Sequence, residues 1–581
     1  VVNRALARKL LRDLRSRKGS LTTLCLIVAV GVGGFVAMSS VYRDLNGARE
    51  TYYRSQRLAD FQVDLKRVPE WVVSEVRNYP NIEEARGRID LPVSIDLPNL
   101  EQPISGRAIS LPEKRAASIL NGVLLRSGTW FSGRDDREAI LNEAFATANG
   151  LGPGDRIRVL LLDKQHDLLV VGTAMSPEFV YLIPASGGLA PDPARFGVLY
   201  LREDFLQESA DLDGAFNQIV GKTDDSRLTR VRETLDLIEY RLDEYGVANT
   251  TPSAEQASVQ FLAEELRSLR MMSKVMPGIF LGVALLILNV LMGRMVAQQR
   301  TIIGTLKALG YSSWSLARHY LTFGAVVGLV GGLLGLALGA WMQSSMVDLY
   351  RRFYALPEIA VSVYPDILAI GLGISLCFST LGTIRGLRYA IRLDPAEAMR
   401  PPPPEKGGKV LPERIPWVWA VLSFRGKMIL RAVFRNPFRS AVSVFASVIA
   451  TALVFTALSN VDALDYLMRH EFEKVSHQDV SVILRDPVHW TSVSEFESLP
   501  GISQAELELT VPCDLVNGHH EKRTAVTGLA RGHRLRTPLD SQGREIPVPR
   551  EGLALTRKLA EILAVQPGDI LRLRPLIGER L

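Results

Sequence analysis

Few of the residue types that do chemistry on their own stand where they could do it. His470-Glu471 opens like the zinc-binding His-Glu-x-x-His pattern, but position 474 is Lys474, so the second histidine on that helix face is missing. His519-His520 follow Asn517-Gly518, a hairpin-turn signal; adjacent strand residues point to opposite faces, which makes a poor metal pair. Gly407-Gly408-Lys409 has neither the spacing nor the Ser/Thr of a phosphate-cradling loop. The eight histidines are scattered, and no Ser/His/Asp arrangement can be built from them. Of three cysteines, Cys25 and Cys377 lie in long apolar runs, which leaves Cys513 alone and no disulfide framework. The expectation is a non-enzyme: no catalytic residue, no metal site, no cofactor-binding site. The informative spacing lies elsewhere, in Arg300-Thr301-Ile302-Ile303-Gly304-Thr305-Leu306-Lys307-Ala308-Leu309-Gly310. It predicts a short helix ended by Gly310, with Ile303, Leu306 and Leu309 on one side, a form that can enter a groove on a soluble partner.

The elements that would carry this helix are apolar. The 581 residues would make about four average soluble domains, yet the apolar residues concentrate in a few runs with charged stretches between them. Five runs are long enough for a membrane helix, which needs roughly 17–25 residues: Leu21–Val41, Val275–Gly293, Tyr320–Met342, Ile367–Ile384 and Ser440–Val461. Basic residues gather at one set of ends. They are Arg8, Lys9, Arg12, Arg15, Arg17 and Lys18 before the first run, and Arg294, Arg300, Lys307 and Arg318 between the second and third. Arg385, Arg388, Arg392 and Arg400 follow the fourth, and Arg425, Lys427, Arg431, Arg435 and Arg439 precede the fifth. The positive-inside rule makes these regions cytoplasmic. Residues 42–274 and 462–581 are then the extracytoplasmic domains, residues 294–319 and 385–439 cytoplasmic connections, and residues 343–366 a short outer loop. A net charge of +6 is too small to imply nucleic-acid binding. No span carries Asp, Glu, Lys or Arg in its interior, which disfavours an ion-coupled carrier and points to an external energy source.

Finer features follow. Residues 1–20 predict a basic amphipathic helix on the inner membrane surface. The first run is too long for a usual signal-peptide core and reads as an anchor. Phe61–Leu65 alternates like a strand, and Glu70–Tyr79 looks helical with Pro69 able to take its first position. Val159–Leu162 and Leu168–Val171 predict a hairpin around Asp163–Asp167. Ser226–Tyr245 carries Leu228, Val231, Leu235, Ile238 and Leu242 at helical spacing, and the mixture makes an α+β domain. Ser253 with Gln256 suggests a capping box opening a helix that runs on into the second span, as a lever or packed on its own domain. Gly324, Gly328 and Gly332, and in parallel Gly331, Gly335 and Gly339, make two small-xxx-small ridges for close helix packing. Asn289 is expected to hydrogen-bond across helices. Pro401–Pro404 with Gly407-Gly408 makes a stiff-then-flexible linker, and Trp417 and Trp419 suit an interfacial seat.

The order basic stretch, apolar run, strand-like segment occurs twice. Ala59-Asp60-Phe61-Gln62-Val63 answers to Gln478-Asp479-Val480-Ser481-Val482, Pro80-Asn81-Ile82 to Pro500-Gly501-Ile502, and Pro153-Gly154-Asp155 to Pro567-Gly568-Asp569. A period of about 420 residues is far too long for a solenoid and suits a membrane protein built from two like halves. The expected fold is a multi-span α-helical membrane protein with large α+β extracytoplasmic domains, a four-span half followed by the start of a second. Extrapolation from the first copy expects roughly 230 further residues and three further spans.

The loop pattern Arg300-x-x-Ile303-Gly304-x-Leu306-Lys307-Ala308-Leu309-Gly310, with Asp394-Pro395-x-Glu397-Ala398-Met399-Arg400 after the fourth span, closely resembles the FtsX/MacB-type ABC transporter permeases, a class that includes lipoprotein-release and macrolide-export permeases. Met399 stands where the family has leucine. The resemblance implies that residues 300–310 form the helix that couples to an ABC ATPase, expected as a dimer of a separate chain holding the ATP and Mg²⁺. It implies residence in a bacterial cytoplasmic (inner) membrane with the N-terminus cytoplasmic, and contact with membrane lipid and with a periplasmic adaptor in some members. It implies export or extraction of hydrophobic or amphipathic substrates by mechanotransmission, or, as the alternative, control of a periplasmic partner such as a cell-wall hydrolase without transport.

Overall fold

The computed structural model describes residues 8–9, 12–13, 15–16, 18–97, 103–115, 119–162, 164–183, 191–392, 394–399, 410, 413, 419–420, 422–435, 437–484, 488–530, 532–549 and 551–575. The first apolar run lies in α1 (Lys18–Ser55), which continues well past Val41 into the strand-rich domain. That domain runs β1 (Phe61–Pro69), α2 (Glu70–Val76), β2 (Ile82–Arg88), β3 (Asp90–Asp96), β4 (Ile104–Leu111), β5 (Leu124–Gly128), β6 (Glu138–Asn142), α3 (Glu143–Asn149), β7 (Arg156–Leu161), β8 (Lys164–Met175), β9 (Phe196–Arg202), α4 (Glu203–Ser209), β10 (Ala215–Thr223), α5 (Leu228–Arg241) and β11 (Val247–Pro252). A four-stranded sheet is ordered β11-β1-β10-β2. A seven-stranded sheet is ordered β5-β8-β6-β9-β4-β3-β7, and β7 pairs back onto β8, so this sheet closes on itself. Phe61 and Val63 of β1, Val72 and Val76 of α2 and Val231, Leu235 and Ile238 of α5 meet in one core. The alternation in β1 and the helical spacing in α5 are therefore the faces that bury.

Between the sheets lies a row of buried charge. Arg88 holds Glu178 through two hydrogen bonds of 2.7 and 2.6 Å and donates to Gln218, whose amide donates to Asp64. Burial pushes the Asp64 carboxyl up from its usual range. Every member has a partner, as a buried polar network requires.

Four long helices make the bundle: α1, α6 (Ala257–Gln298), α8 (Ser313–Phe353) and α9 (Pro365–Arg392), with the short α7 (Arg300–Ala308) between α6 and α8 and α10 (Pro395–Met399) after α9. The two glycine ridges of α8 serve different neighbours. A Cβ on Gly324, Gly328 or Gly332 would meet Ser379, Ser375 or Leu372 of α9; one on Gly331, Gly335 or Gly339 would stand 2.9, 2.6 or 2.7 Å from the Cβ of Val28, Val32 or Val36 of α1. Real Cβ atoms do not approach so closely, so glycine is required for both contacts.

The second stretch holds α11 (Phe424–Arg435), α12 (Pro437–Arg469), α13 (Val493–Glu497), β12 (Glu508–Asn517), β13 (His520–Leu529), α14 (Arg557–Leu563) and β14 (Arg572–Pro575). Its sheet, β13-β12-β14, repeats the order β4-β3-β7 with the same antiparallel pairings. The loop before β7 recurs before β14. Gly154 and Gly568 take φ of 103° and 104°, and the backbone N–H groups of Gly152 and Gln566 donate to Asp155 and Asp569 at 2.7 and 2.8 Å. Helices α3 and α14 start on side-chain caps, Asn142 and Thr556.

Several expectations are corrected. Pro69 ends β1 and caps α2 from outside, and α2 stops at Val76. Leu161 pairs with Lys164, so most of the polar segment expected in the β7–β8 turn is strand; Asp163 lies outside the described residues. Ser253 makes no capping box. Its hydroxyl donates to the Ala59 carbonyl inside a short 3-10 turn, and Gln256 precedes α6 without a side-chain cap. Residues 478–482 form no strand and are exposed: their counterpart in β1 has β10 and β11 as ladder partners, and nothing described flanks them. The Asn289 side-chain carbonyl is buried and accepts no hydrogen bond among the described residues. His519 sits in the hairpin turn, so its ring lies beside that of His520, centroids 4.0 Å apart. The linker at residues 401–409 and Trp417 lie outside the described residues, whereas Trp419 packs under Arg431.

Candidate functional site

The α7 loop begins where α6 breaks at Gln299, which leaves helical geometry at φ −96° and ψ 13°. It ends at Gly310, whose φ of 87° lets Gly310 N–H reach the Lys307 carbonyl and Tyr311 N–H the Leu306 carbonyl, a glycine-dependent helix stop. One face of α7 is not free. Ile303 is 1% exposed, among Met292, Met295 and Val296 of α6, Leu316, Tyr320 and Phe323 of α8, and Ala398 of α10; Leu306 packs on the same cluster and Gly304 is buried. Leu309 is 70% exposed, as are Ile302 and Trp314 to large degrees. The three-residue set therefore splits: Ile303 and Leu306 hold α7 to the bundle, and Leu309 joins Ile302 and Trp314 on the open side.

The two motifs singled out in the sequence come together here. Ala398 is buried against Ile303, and its N–H bonds the Asp394 carbonyl. Lys307 Nζ donates to the Ile391 carbonyl at the end of α9, 2.8 Å away. Arg300 is half-buried and Ala308 exposed. The backbone of Pro395 and Glu397 lies in α10, and Arg400 lies outside the described residues.

A polar cluster invisible to local pattern fastens the same loop. Lys9 Nζ donates to Asp13 at 2.6 Å and to Gln299 Oε1 at 2.7 Å; Tyr320 donates to the same Gln299 oxygen, and His319 Nε2 stands 3.6 Å from Asp13. Despite burial, the Lys9 ammonium holds the Asp13 carboxyl below its ordinary range. Lys9 and Asp13 of the N-terminal stretch thus dock on the α6–α8 loop; Leu10, Leu11 and Leu14 lie outside the described residues. Asp13, the lone acid in a basic run, and the polar pair His319-Tyr320 were the available signals.

At its other end α6 is fixed to the strand-rich domain. Leu262, Leu266 and Leu269 bury against Val41 and Leu45 of α1, Val347 of α8 and Tyr354 just past it. Tyr181, just past β8, stacks on Phe261 with centroids 4.8 Å apart and donates its N–H to Ser258 Oγ at 2.9 Å. Nearby Asp44 is buried and accepts from Gln343, Ser362 N–H and Tyr364, tying α1, α8 and the start of α9. Helix α6 thus packs on its own domain and continues without a break to the loop.

Residues 274–395 match the family model described as FtsX-like permease C-terminal. An uncharacterized ABC transporter permease protein of Mycobacterium tuberculosis is 24% identical over 333 residues, 55% of this chain and 36% of that protein. The match thus spans little more than a third of that relative. Among solved structures, the periplasmic region of MacB from Actinobacillus actinomycetemcomitans aligns at 12% identity and a TM-score of 0.24, over 36% of this chain and 95% of its own. The extracellular domain of the noncanonic ABC-type transporter YknZ from Gram-positive bacteria aligns at 13% and 0.20, over 32% and 95%. The family match runs from the middle of α6 to the first residue of α10 and encloses the α7 loop and both glycine ridges; over these residues the chain is similar to the FtsX-like permeases.

Proposed function

We propose that the chain is the membrane subunit of an ATP-driven machine that exports or extracts hydrophobic or amphipathic substrates by mechanotransmission. The observation that carries this reading is α6, an unbroken helix of 42 residues packed on the strand-rich domain at one end and on the α7–α10 cluster at the other. A continuous element anchored at both ends, with Pro277 inside it, can carry movement from one end to the other. In this reading the basic end is cytoplasmic in the bacterial inner membrane, and a separate ABC ATPase pair holds ATP and Mg²⁺. The open side of α7, with Ile302, Leu309 and Trp314, enters a groove on that ATPase, while Ile303 and Leu306 pass its movement into the bundle. Lipid surrounds the spans, and the strand-rich domain meets substrate or an adaptor.

Reconstitution of the permease with its ATPase in liposomes, with ATP hydrolysis as the readout, tests the proposal. Stimulation by an amphipathic substrate is the expected result. Stimulation by a periplasmic protein alone, with nothing moved, would replace it with the regulatory reading. A second measurement addresses the lever. Cysteines at Tyr181 and Ser258, oxidised to lock α6 to the domain, should leave ATPase binding intact and change coupled turnover; unchanged turnover would remove α6 from the mechanism.

A further inference from the structure

Helix α12 carries a shallow hollow of about 610 Å³ lined by Ser443, Val444, Ser447, Val448, Thr451, Ala452 and Phe455. Its apolar window is 6% buried, against 67% for the first span. The two helices are in register. An offset of 419 positions aligns their sequences, carrying Leu11-Arg12 onto Leu430-Arg431, Asp60 onto Asp479 and Val63 onto Val482. At that offset Ser447, Thr451 and Phe455 correspond to Val28, Val32 and Val36, the ridge of α1 that lies over Gly331, Gly335 and Gly339 of α8. The other lining residues correspond to Leu24, Cys25, Ala29 and Gly33, and the carbonyls of Cys25, Ala29 and Gly33 are the backbone atoms those glycines approach. The bare hollow on α12 is thus the same face that α1 uses to hold a glycine-ridged helix.

We propose that this face docks a further membrane helix bearing a glycine ridge, crossing α12 as α8 crosses α1. The replacement of valines by Ser447 and Thr451 fits such an occupant. Glycine exposes the backbone carbonyl of a membrane helix, and a hydroxyl on the facing helix can donate to it. This bundle already contains one such bond, from Ser375 Oγ of α9 to the Gly328 carbonyl of α8 at 2.6 Å. Helix α8 itself does not fill the role in a second copy of the chain, because α1 and α9 cover both of its ridges. The occupant is therefore a distinct helix with glycines four residues apart.

Disulfide mapping tests this. The full chain, with Cys25, Cys377 and Cys513 replaced by serine and Thr451→Cys introduced, is placed in liposomes with a synthetic peptide of the Tyr320–Met342 sequence carrying Gly335→Cys. Thr451→Cys and Gly335→Cys then stand where Val32 and Gly335 meet in α1 and α8. Mild oxidation should join them at least tenfold faster than the same peptide joins a Thr456→Cys chain, whose cysteine points well away from the hollow. A peptide that keeps its cysteine but carries leucine for Gly331 and Gly339 should lose the advantage. Thr451 is exposed, so its replacement leaves the fold intact. Equal rates at positions 451 and 456, indifference to the leucines, or a dominant 451–451 link between two copies of the chain would each overturn the proposal, the last by showing that a second α12 covers the face.

Discussion

Helices α1 and α12 start from like sequences and meet different surroundings. Both follow a basic helix and both lead toward a three-strand unit of the same order. Yet Val32 is 1% exposed between α8 and its neighbours, while Thr451 at the corresponding place is exposed among the described residues. The contrast separates two things that hydropathy merges. Composition decides that a helix can enter a membrane; the spacing of small and branched residues decides which face a partner takes. The β1 counterpart makes the same point, since residues 478–482 keep the alternation and form no strand without a ladder partner. Pattern specifies a face, and burial needs the neighbour.

The largest effects should come from testing covered against bare on the α7 loop. Ile303→Asp puts a carboxylate into a closed apolar cluster, and an uncompensated buried charge costs about 3–5 kcal/mol; denaturant unfolding in detergent should show most of that loss. Leu309→Asp should leave stability within about 0.5 kcal/mol. It should weaken ATPase association at least about tenfold if the open side docks, a change of roughly 1.4 kcal/mol. Equal destabilisation by both would erase the division of the helix into two faces. Next in size is the pair Val32→Trp and Thr451→Trp. Overpacking against Gly335 should cost about 1–3 kcal/mol in the first, and the second should be near neutral in the same chain. Smaller again are the caps. Asn142 is buried and caps two N–H groups, at 3.0 and 3.4 Å, whereas the exposed Thr556 caps one at 3.3 Å. Asn142→Ala should therefore cost about 1–2 kcal/mol and Thr556→Ala about 0.5–1 kcal/mol. Reversal of that order would break the equivalence of α3 and α14.

What was legible in the sequence follows from the range of the signal. The five apolar helices, β1, α5 and the two glycine ridges rest on spacing within a few turns, and the structure forms each of them. Leu309 was misplaced for a geometric reason. It lies six residues after Ile303, and at 3.6 residues per turn that leaves it about 120° round the helix. The failed capping box has a different cause, because Ser253 sits in a separate 3-10 turn whose hydroxyl is tied to the Ala59 carbonyl, and Gln256 stands at the start of α6 instead. Lys9, Asp13, Gln299 and Tyr320 could not be grouped beforehand, since the Lys9–Gln299 bond spans 290 residues. Asn289 shows the converse: a polar residue in a span predicts a partner, and here the side-chain carbonyl has none among the described residues.

The smallest expected effect concerns the seam between the two strand-rich parts. Arg523 of β13 donates to Glu239 of α5 at 2.6 Å and to Thr250 of β11 at 2.9 Å, while its Nε holds Asp514 of its own sheet at 2.9 Å. These carboxylates raise the Arg523 pKa further, so the guanidinium stays charged at any working pH. Arg523→Ala alone overstates the seam, because it also strips the nearly buried Asp514 of its partner. A double-mutant cycle with Glu239→Gln isolates the contact. Both side chains are about a third exposed, which screens the pair to about 0.5 kcal/mol. The coupling should shrink further in high salt, as a partly solvated ion pair requires. Zero coupling at low salt would mean that β13 and α5 do not meet in solution, and the comparison of α1 with α12 would then be one between independent bodies.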